Sequence, residues 1–165
     1  MSTFKEVEIA LNLLNKNFEK DITILHCVSN YPAKFENVNL KAMNTIKTAF
    51  NVEIGYSDHT PGIEVPIAAV AMGAKVIEKH FTLDKTLQGN DHYHAMNPSD
   101  LKKFRNNVDM IKTISGNYYK KPLECEMTSR KQARRSIVAL KDMDKGAIVT
   151  RDKITFKRPG TGISP

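Results

Sequence analysis

The 165-residue chain has only two cysteines, Cys27 and Cys125, and its apolar runs are all shorter than the roughly 18 residues that a membrane helix needs. Its first residues also lack a signal-peptide pattern. One of the two thiols lies in an apolar, strand-like run, and so few thiols are typical of free cysteines in a reducing compartment. We therefore expect a cytoplasmic protein that has no membrane partner and no disulfide.

The sequence also lacks aromatic residues interleaved with its basic ones. The net charge is +7, but the lysines and arginines are spread over every segment and cluster only at residues 120–121 and 130–135. Nucleic-acid-binding surfaces concentrate basic residues on one face, so the sequence predicts no nucleic-acid partner. The excess positive charge is more consistent with an anionic small substrate, or with plain solvated faces.

A third absence concerns cofactor motifs. No Gly-x-Gly-x-x-Gly sequence follows a predicted strand, which argues against a dinucleotide-binding fold.

What the sequence does contain is a regular alternation of strands and helices. A helix begins at the amino terminus, where Thr3 and Glu6 have the spacing of a capping box. Three strand–helix units follow, with strands starting near residues 22, 53 and 75. This repeat of roughly 22 to 32 residues is typical of the βα units of a parallel barrel or a doubly wound sheet. The sequence therefore predicts an α/β fold with a parallel sheet.

The second and third predicted strands each end in polar residues that share a face. Side-chain alternation puts Ser57 and His59 on one face of the second strand, and Glu78 and His80 on one face of the third. The short helical crossover between these strands makes them parallel neighbours, so both polar faces can line one cavity. Metals and catalytic groups of α/β enzymes lie at such strand ends. We therefore predict a divalent metal site with His59 and His80 as ligands and Glu78 beside them.

Each of these residues also has a purely structural interpretation. His59 could cap the turn at residues 60–62, and His80 could pair with Asp91. The polar loop that carries Asp91 also has a His-x-His spacing at His92 and His94, which suits either a substrate loop or a solvated one. Ser57 could contact a phosphate group, or it could simply form a hydrogen bond in a turn.

The composition changes after the predicted helix that ends near Gly116. Residues 117–133 form a polar connector, and two short predicted strands at residues 134–140 and 147–157 flank a turn. Residues 134–165 therefore look like a small β-rich module.

Several long motifs resemble those of the sialic acid (nonulosonic acid) synthase family, and the similarity runs over the whole chain. The motifs are GYSDHT (residues 55–60), GIEVP (62–66), VIEKHFTLD (76–84) and KRPG (157–160). Members of that family join an open-chain N-acetylated aminosugar, such as N-acetylmannosamine, to phosphoenolpyruvate and release phosphate. They are (β/α)8 TIM barrels followed by a small antifreeze-like (SAF) domain that reaches across a domain-swapped homodimer.

The resemblance divides the chain into three parts. Residues 1–116 correspond to the C-terminal portion of the barrel, residues 117–133 to a linker, and residues 134–165 to the beginning of the antifreeze-like domain. The family's first five barrel strands, with their phosphate-binding lysines, have no counterpart here. Two alternatives therefore accompany the synthase interpretation: a catalytically inactive fragment of such an enzyme, and a different metal-dependent barrel such as an aldolase.

The resemblance also implies roles for individual residues. His59 and His80 match the ligands of a divalent metal, Mn²⁺ or Mg²⁺, and Glu78 matches the catalytic carboxylate beside it. The residues that match substrate contacts are Ser29 and Ser57 for phosphoenolpyruvate and its phosphate, Tyr31 and Asp91 for the sugar, and Arg158 for the N-acyl group.

Overall fold

The structure, a computed structural model, describes residues 1–17 and 21–165. The chain divides into two compact units, Met1–Gly116 and Asn117–Pro165. The first unit contains the helices α1 (Phe4–Asn17), α2 (Lys41–Phe50), α3 (Glu64–Ala71) and α4 (Pro98–Ser115), and the strands β1 (Thr23–Cys27), β2 (Glu53–Asp58) and β3 (Val76–Lys79). The predicted alternation of helices and strands is confirmed.

The three strands form a parallel sheet in the order β1-β2-β3. Cys27 of β1 pairs with Ser57 of β2, which in turn pairs with Glu78 of β3. Because all three strands point the same way, the residues that follow them emerge at one edge of the sheet. The predicted parallel arrangement of β2 and β3 is therefore confirmed.

Every residue of the central strand β2 except the first is buried. Ile54 and Tyr56 point into a core that also contains Met43 of α2 and Ala69 of α3, and all four are at most 1% exposed. The intervening Gly55 faces the other way, where an added Cβ would lie 2.3 Å from Leu25 Cδ2 and 2.5 Å from the Val76 carbonyl oxygen. Close approach of β1 and β3 to β2 therefore requires glycine at this position.

Local signals in the sequence explain where α1 and α4 begin. The Thr3 backbone N–H donates to Glu6 Oε2 at 2.6 Å, and the Glu6 N–H donates to Thr3 Oγ1 at 3.3 Å, which confirms the predicted capping box. A second capping box joins Asn97 and Asp100 at the start of α4. These reciprocal bonds satisfy backbone N–H groups that a helix leaves without partners in its first turn.

The apolar side chains along α4 are covered only in part. Val108 and Ile111 are buried, but Leu101 is 46% exposed and Ile114 is 71% exposed. Within the described residues α4 packs chiefly against α3, so only the middle of its stripe meets a partner. The same holds for α1, where Leu11 alone is buried.

The second unit contains helix α5 (Met127–Ala133) and the antiparallel strands β4 (Ser136–Ala139) and β5 (Ile154–Lys157). Helix α5 lies within the segment that the sequence indicated was a polar connector. The strand predicted for residues 147–157 is too long, because only its last four residues pair with β4. Ile148 and Val149, which suggested a longer strand, are 77% and 61% exposed.

Ser136 is the buried polar residue of this unit. Its hydroxyl donates to the Pro159 carbonyl at 2.7 Å and accepts the Gly162 N–H at 2.9 Å, which ties the segment after β5 to β4.

Both cysteines are free. Among the helices within residues 1–17 and 21–165, none combines the length and the hydrophobicity that crossing a bilayer demands.

Candidate functional site

A cavity of about 460 Å³ opens at the carboxyl-terminal edge of the sheet. Its walls include side chains from all three strands and from the segments that follow them: Cys27, Tyr31, Ser57, His59, Glu78 and His80. Five of these six are residues that the sequence marked as candidates for metal or substrate binding. The parallel register brings these six side chains together, although they are spread between residues 27 and 80 of the chain.

The imidazoles of His59 and His80 face one another across this cavity. Their ring centroids lie 5.2 Å apart, with the ring planes inclined by 60°. The Tyr31 ring meets His59 edge-on at 4.2 Å and lies 6.0 Å from His80. The two histidines thus occupy the same side of the sheet and line the same cavity.

The surroundings of His59 disfavour its protonated form. Burial lowers its pKa below the ordinary value, and the neighbouring His80 lowers it further, while Asp58 acts in the opposite direction. Its Nδ1 lies 3.7 Å from Cys27 Sγ. Neutral imidazole is the form that ligates metals, so the environment of His59 suits a ligand.

The turn after β2 is capped by Asp58, so the idea that His59 caps this turn is wrong. Asp58 Oδ1 accepts hydrogen bonds from the Thr60 backbone N–H at 3.1 Å and from the Thr60 hydroxyl at 2.8 Å. The His59 side chain is therefore not needed to cap this turn.

Ser57 and Glu78 are joined directly across the paired strands. The Ser57 hydroxyl donates to Glu78 Oε1 at 2.6 Å, and Ser57 is 5% exposed. The bond holds the carboxylate at the wall of the cavity. It leaves the lone pairs of the Ser57 oxygen available to accept a further hydrogen bond.

Sequence reasoning did not identify Lys79, which lines the same cavity. Its ammonium forms an ion pair with Asp58 Oδ2 at 2.5 Å and also donates to the Thr60 carbonyl oxygen. Both side chains are almost wholly buried, 3% exposed for Lys79 and 0% for Asp58. Asp58 and Lys79 are paired in register on β2 and β3. Opposite charges on neighbouring predicted strands were the sequence feature that could have predicted this ion pair.

Asp91 and His94 lie next to His80. Asp91 Oδ2 is 4.0 Å from His80 Nδ1, and Asp91 Oδ1 is 4.0 Å from His94 Nε2. Together the three residues offer ligand atoms within 4.8 Å of one another. The proposed pairing of His80 with Asp91 is thus too long for a hydrogen bond, although the two are neighbours.

The His-x-His spacing grouped His92 with His94, but the two side chains contact different residues. His92 Nδ1 lies 2.8 Å from the Thr82 hydroxyl, whereas His94 is 1% exposed and its ring meets that of His80 at 5.5 Å. Burial and then the nearby His80 lower the pKa of His94. The loop therefore contributes His94, and not a pair of histidines, to the region around His80.

The remaining candidates lie at the edge of the first unit and in the second. Ser29 is exposed in the segment between β1 and Tyr31, with its hydroxyl oxygen 4.0 Å from Cys27 Sγ. Arg158 belongs to the second unit, directly after β5.

Known proteins match this chain over most of its length. The model of the NeuB family matches residues 1–120. The N,N'-diacetyllegionaminic acid synthase of Campylobacter jejuni is 48% identical over 166 aligned residues, which cover 99% of this chain and 50% of that protein. The human N-acetylneuraminate-9-phosphate synthase is 39% identical, with 95% of this chain and 43% of that protein covered.

A solved structure agrees with these relatives. The N-acetylneuraminic acid (sialic acid) synthetase of Leptospira borgpetersenii, crystallised with citrate, superposes with a TM-score of 0.71 at 39% identity. The match covers 78% of this chain and 45% of the synthetase. The chain thus spans about half the length of the relatives it matches. From the family match and these similarities, the chain belongs to the NeuB family.

Proposed function

We propose that the protein carrying this chain condenses phosphoenolpyruvate with an N-acylated aminosugar, giving a nonulosonic acid and phosphate. The observation that carries the proposal is the cavity at the strand ends, where His59, His80 and the Ser57–Glu78 pair converge. The relatives named as N,N'-diacetyllegionaminic acid, N-acetylneuraminate-9-phosphate and pseudaminic acid synthases support this class of product. Two free thiols support a reducing cytoplasm as its location.

Residues 1–116 would form the C-terminal part of a (β/α)8 barrel, and residues 134–165 the start of an antifreeze-like domain after a linker at 117–133. Three parallel strands, each followed by a helix or a loop and helix, support the barrel. The antiparallel pair β4–β5 supports a separate β-rich module. The whole enzyme would be a domain-swapped homodimer, in which Arg158 contacts the sugar's N-acyl group in the partner's cavity.

His59 and His80 would hold the divalent cation, Mn²⁺ or Mg²⁺. Their fit to a cation rests on the proximity of the rings and on the burial that favours the neutral form of His59. When bound, the cation would supply Lewis-acid polarisation of the sugar aldehyde.

The chain's own residues would then bind and orient the two substrates. Ser57 would contact the phosphate of phosphoenolpyruvate by turning its hydroxyl proton from Glu78 to a phosphate oxygen, and Ser29 lies on the loop after β1. Tyr31, which is 49% exposed and packs on His59, would form one side of the sugar site, and Asp91 would accept hydrogen bonds from sugar hydroxyls. Glu78 would hold or transfer a proton at Oε1 or Oε2 during the condensation, because its carboxylate faces the cavity beside both imidazoles.

The test compares the full-length protein with two single variants. Phosphate release from phosphoenolpyruvate is measured with Mn²⁺ and with N-acetylmannosamine or a diacetamido sugar as the acceptor. We expect His80→Ala to lose at least about a hundredfold in kcat/KM, in line with removal of a catalytic group. The matched control is His92→Ala, since His92 contacts Thr82 outside the cavity and should leave turnover unchanged.

Two results would count against the proposal. Full turnover in His80→Ala would remove the metal assignment. Absence of any sugar-dependent phosphate release by the wild-type protein would favour the alternative of an inactive protein, or of a barrel with a different reaction.

A further inference from the structure

The buried residue of the second unit is polar. Ser136 is 4% exposed, whereas every other residue of the range 117–165, which the structure describes in full, is at least partly exposed. Even the apolar Ile137 and Val138 on the same strand are only partly buried. Serine is mostly found at protein surfaces, and burial of its hydroxyl costs free energy unless the hydroxyl is hydrogen-bonded. The burial of Ser136 is therefore explained by its hydrogen bonds and not by an apolar core.

Both hydrogen bonds of Ser136 go to the segment that follows β5. Its hydroxyl donates to the Pro159 carbonyl oxygen at 2.7 Å and accepts the Gly162 backbone N–H at 2.9 Å. Because the hydroxyl donates to one backbone group and accepts from another, its orientation is fixed. One side chain thus holds two backbone groups that lie three residues apart.

Backbone hydrogen bonds hold the same segment at two further points. The Gly160 N–H donates to the Lys131 carbonyl oxygen at 2.8 Å, and the Ile137 N–H donates to the Ile163 carbonyl oxygen at 2.8 Å. Residues 159–163 are therefore tied to α5 and β4 by four hydrogen bonds, and two of the four involve the Ser136 hydroxyl.

Arg158 lies immediately before this segment. Lys157, the last residue of β5, pairs in register with Ser136, and the hydrogen bonds of the following segment begin at Pro159. The backbone of Arg158 is thus fixed on both sides, while its side chain is exposed. An arginine held in this way loses less conformational freedom when it contacts a ligand than one on an untethered tail would lose.

We propose that Ser136 is a positioning residue for Arg158, because its two hydrogen bonds set the direction in which the guanidinium leaves the second unit. The inference rests on the proposed function, in which Arg158 contacts the N-acyl group of the sugar, and it adds the group that orients this contact. The N-acyl group takes no part in the bond that forms at the aldehyde. A weaker contact to it therefore raises the KM for the sugar and leaves kcat unchanged.

The experiment measures phosphate release by the full-length protein at saturating phosphoenolpyruvate and Mn²⁺, with the aminosugar concentration varied. We expect Ser136→Ala to raise the KM for the sugar about fivefold, in line with the loss of one hydrogen bond, with kcat and the KM for phosphoenolpyruvate unchanged. Arg158→Ala should raise the same KM about tenfold or more. In the double variant Ser136→Ala should add no further increase, because two residues that act through one contact are not additive.

The matched control is Ser164→Ala. Ser164 is an exposed serine of the same carboxyl-terminal segment, and its hydroxyl accepts a hydrogen bond from Arg134 at 3.2 Å. Its loss should leave kcat and both KM values at wild-type levels, because it holds neither Pro159 nor Gly162.

Amide hydrogen exchange gives a second measurement that needs no activity. In Ser136→Ala we expect faster exchange over residues 158–162 and wild-type exchange over β4, β5 and the first unit. Unchanged exchange over residues 158–162 would overturn the inference. Faster exchange over β4 and β5 as well, or a lower kcat, would overturn it too, because Ser136 would then support the whole unit and not the direction of Arg158.

The pattern of KM values separates this inference from the proposed function. A wild-type sugar KM in Ser136→Ala beside a raised one in Arg158→Ala would overturn the inference and leave the proposed function standing. A wild-type sugar KM in Arg158→Ala would remove the proposed role of Arg158, and the inference with it. An inactive wild-type protein would overturn both.

Discussion

At the scale of single residues, the buried ion pair between Asp58 and Lys79 affects both the stability of the fold and the geometry of the candidate site. Asp58 caps the turn after β2, while Lys79 lines the cavity, so the pair fixes the ends of two strands next to His59 and His80. An ion pair this deeply buried contributes little net stability compared with an apolar pair. Removal of one partner, however, leaves the other charge buried without a partner.

We predict that Lys79→Met lowers the free energy of unfolding by about 3–5 kcal/mol, because Asp58 would remain as a buried, unpaired carboxylate. Denaturant unfolding of the full-length protein measures the change. The matched control is Arg105→Met, which removes an ion pair with Asp109 whose side chains are 62% and 56% exposed, and should cost less than about 1 kcal/mol. Equal losses in the two variants would contradict the prediction.

Gly55 shows how one position sets the spacing of the sheet. We predict that Gly55→Ala destabilises the protein by about 1–3 kcal/mol, because the added Cβ would clash with Leu25 and with the Val76 backbone. Gly146→Ala is the control: Gly146 has a φ of +89° but no atom within 4 Å of an added Cβ, so it tests backbone strain without a clash. Thermal unfolding measures both, and a Gly55→Ala protein of wild-type stability would show that the strands can separate.

Sequence reasoning could place some site residues but not others. His59 and His80 follow predicted strands directly, so side-chain alternation and strand direction were enough to suggest that they meet. The Ser57–Glu78 hydrogen bond, the Asp58–Lys79 pair and the approach of His94 to His80 depend on register and on the path of a loop. Those are non-local properties that local periodicity does not report.

At the scale of the element, helix α4 shows how a local signal and a distant contact combine. Asp100 completes the capping box with Asn97, and its carboxylate also pairs with Lys85 from the loop after β3. The bond with Lys85 is the main cause that lowers the pKa of Asp100 below its ordinary value, and the Asn97 N–H adds to it. The loop that carries Asp91 and His94 is thus tied to α4 at both of its ends.

We predict a pH-dependent effect for Asp100→Asn. A carboxyl group whose folded pKa is depressed stabilises the fold above its unfolded pKa, and this contribution disappears as the pH falls through the lower, folded value. The variant should therefore be less stable than the wild type near neutral pH, and the difference should vanish in acid. Unfolding curves between pH 7 and about pH 2 measure it, since that range spans the ordinary pKa of aspartate.

Asp109→Asn provides the comparison, because Asp109 lies on the exposed face of the same helix and pairs only with exposed side chains. A constant difference between Asp100→Asn and the wild type across the whole pH range would contradict the linkage.

The elements themselves followed from the sequence wherever a local signal marks them. The capping box of α1 and the apolar run of β1 were identified and are present. Helix α5 was missed because its residues are mostly polar and none is buried, so it has no apolar stripe to detect. The predicted strand over residues 147–157 was too long because exposed β-branched residues resemble a strand in composition.

At the scale of the whole molecule, the chain consists of two compact units. The residues just after Gly116 are exposed and carry no helix or strand as far as residue 123. Exposed backbone without regular structure is where proteases cut first.

We predict that brief digestion with chymotrypsin cuts first after Tyr118 or Tyr119, which are fully and 73% exposed. Intact-mass spectrometry identifies the fragment that ends there. Replacing both tyrosines by alanine should abolish this first cut and leave a resistant protein. A first cut within the sheet, for example after the buried Tyr56, would show that the first unit opens more readily than the connecting segment.

The order and type of the main elements, the parallel direction of the strands and the presence of histidines at their ends were determined by the sequence itself, because helix and strand periodicities and caps act over a few residues. The tertiary structure decided which polar groups meet. Register sets Ser57 against Glu78 and Asp58 against Lys79, and the fold of one loop brings Asp91 and His94 to His80. Such contacts join residues that are far apart along the chain, and their geometry exists only once the sheet has formed.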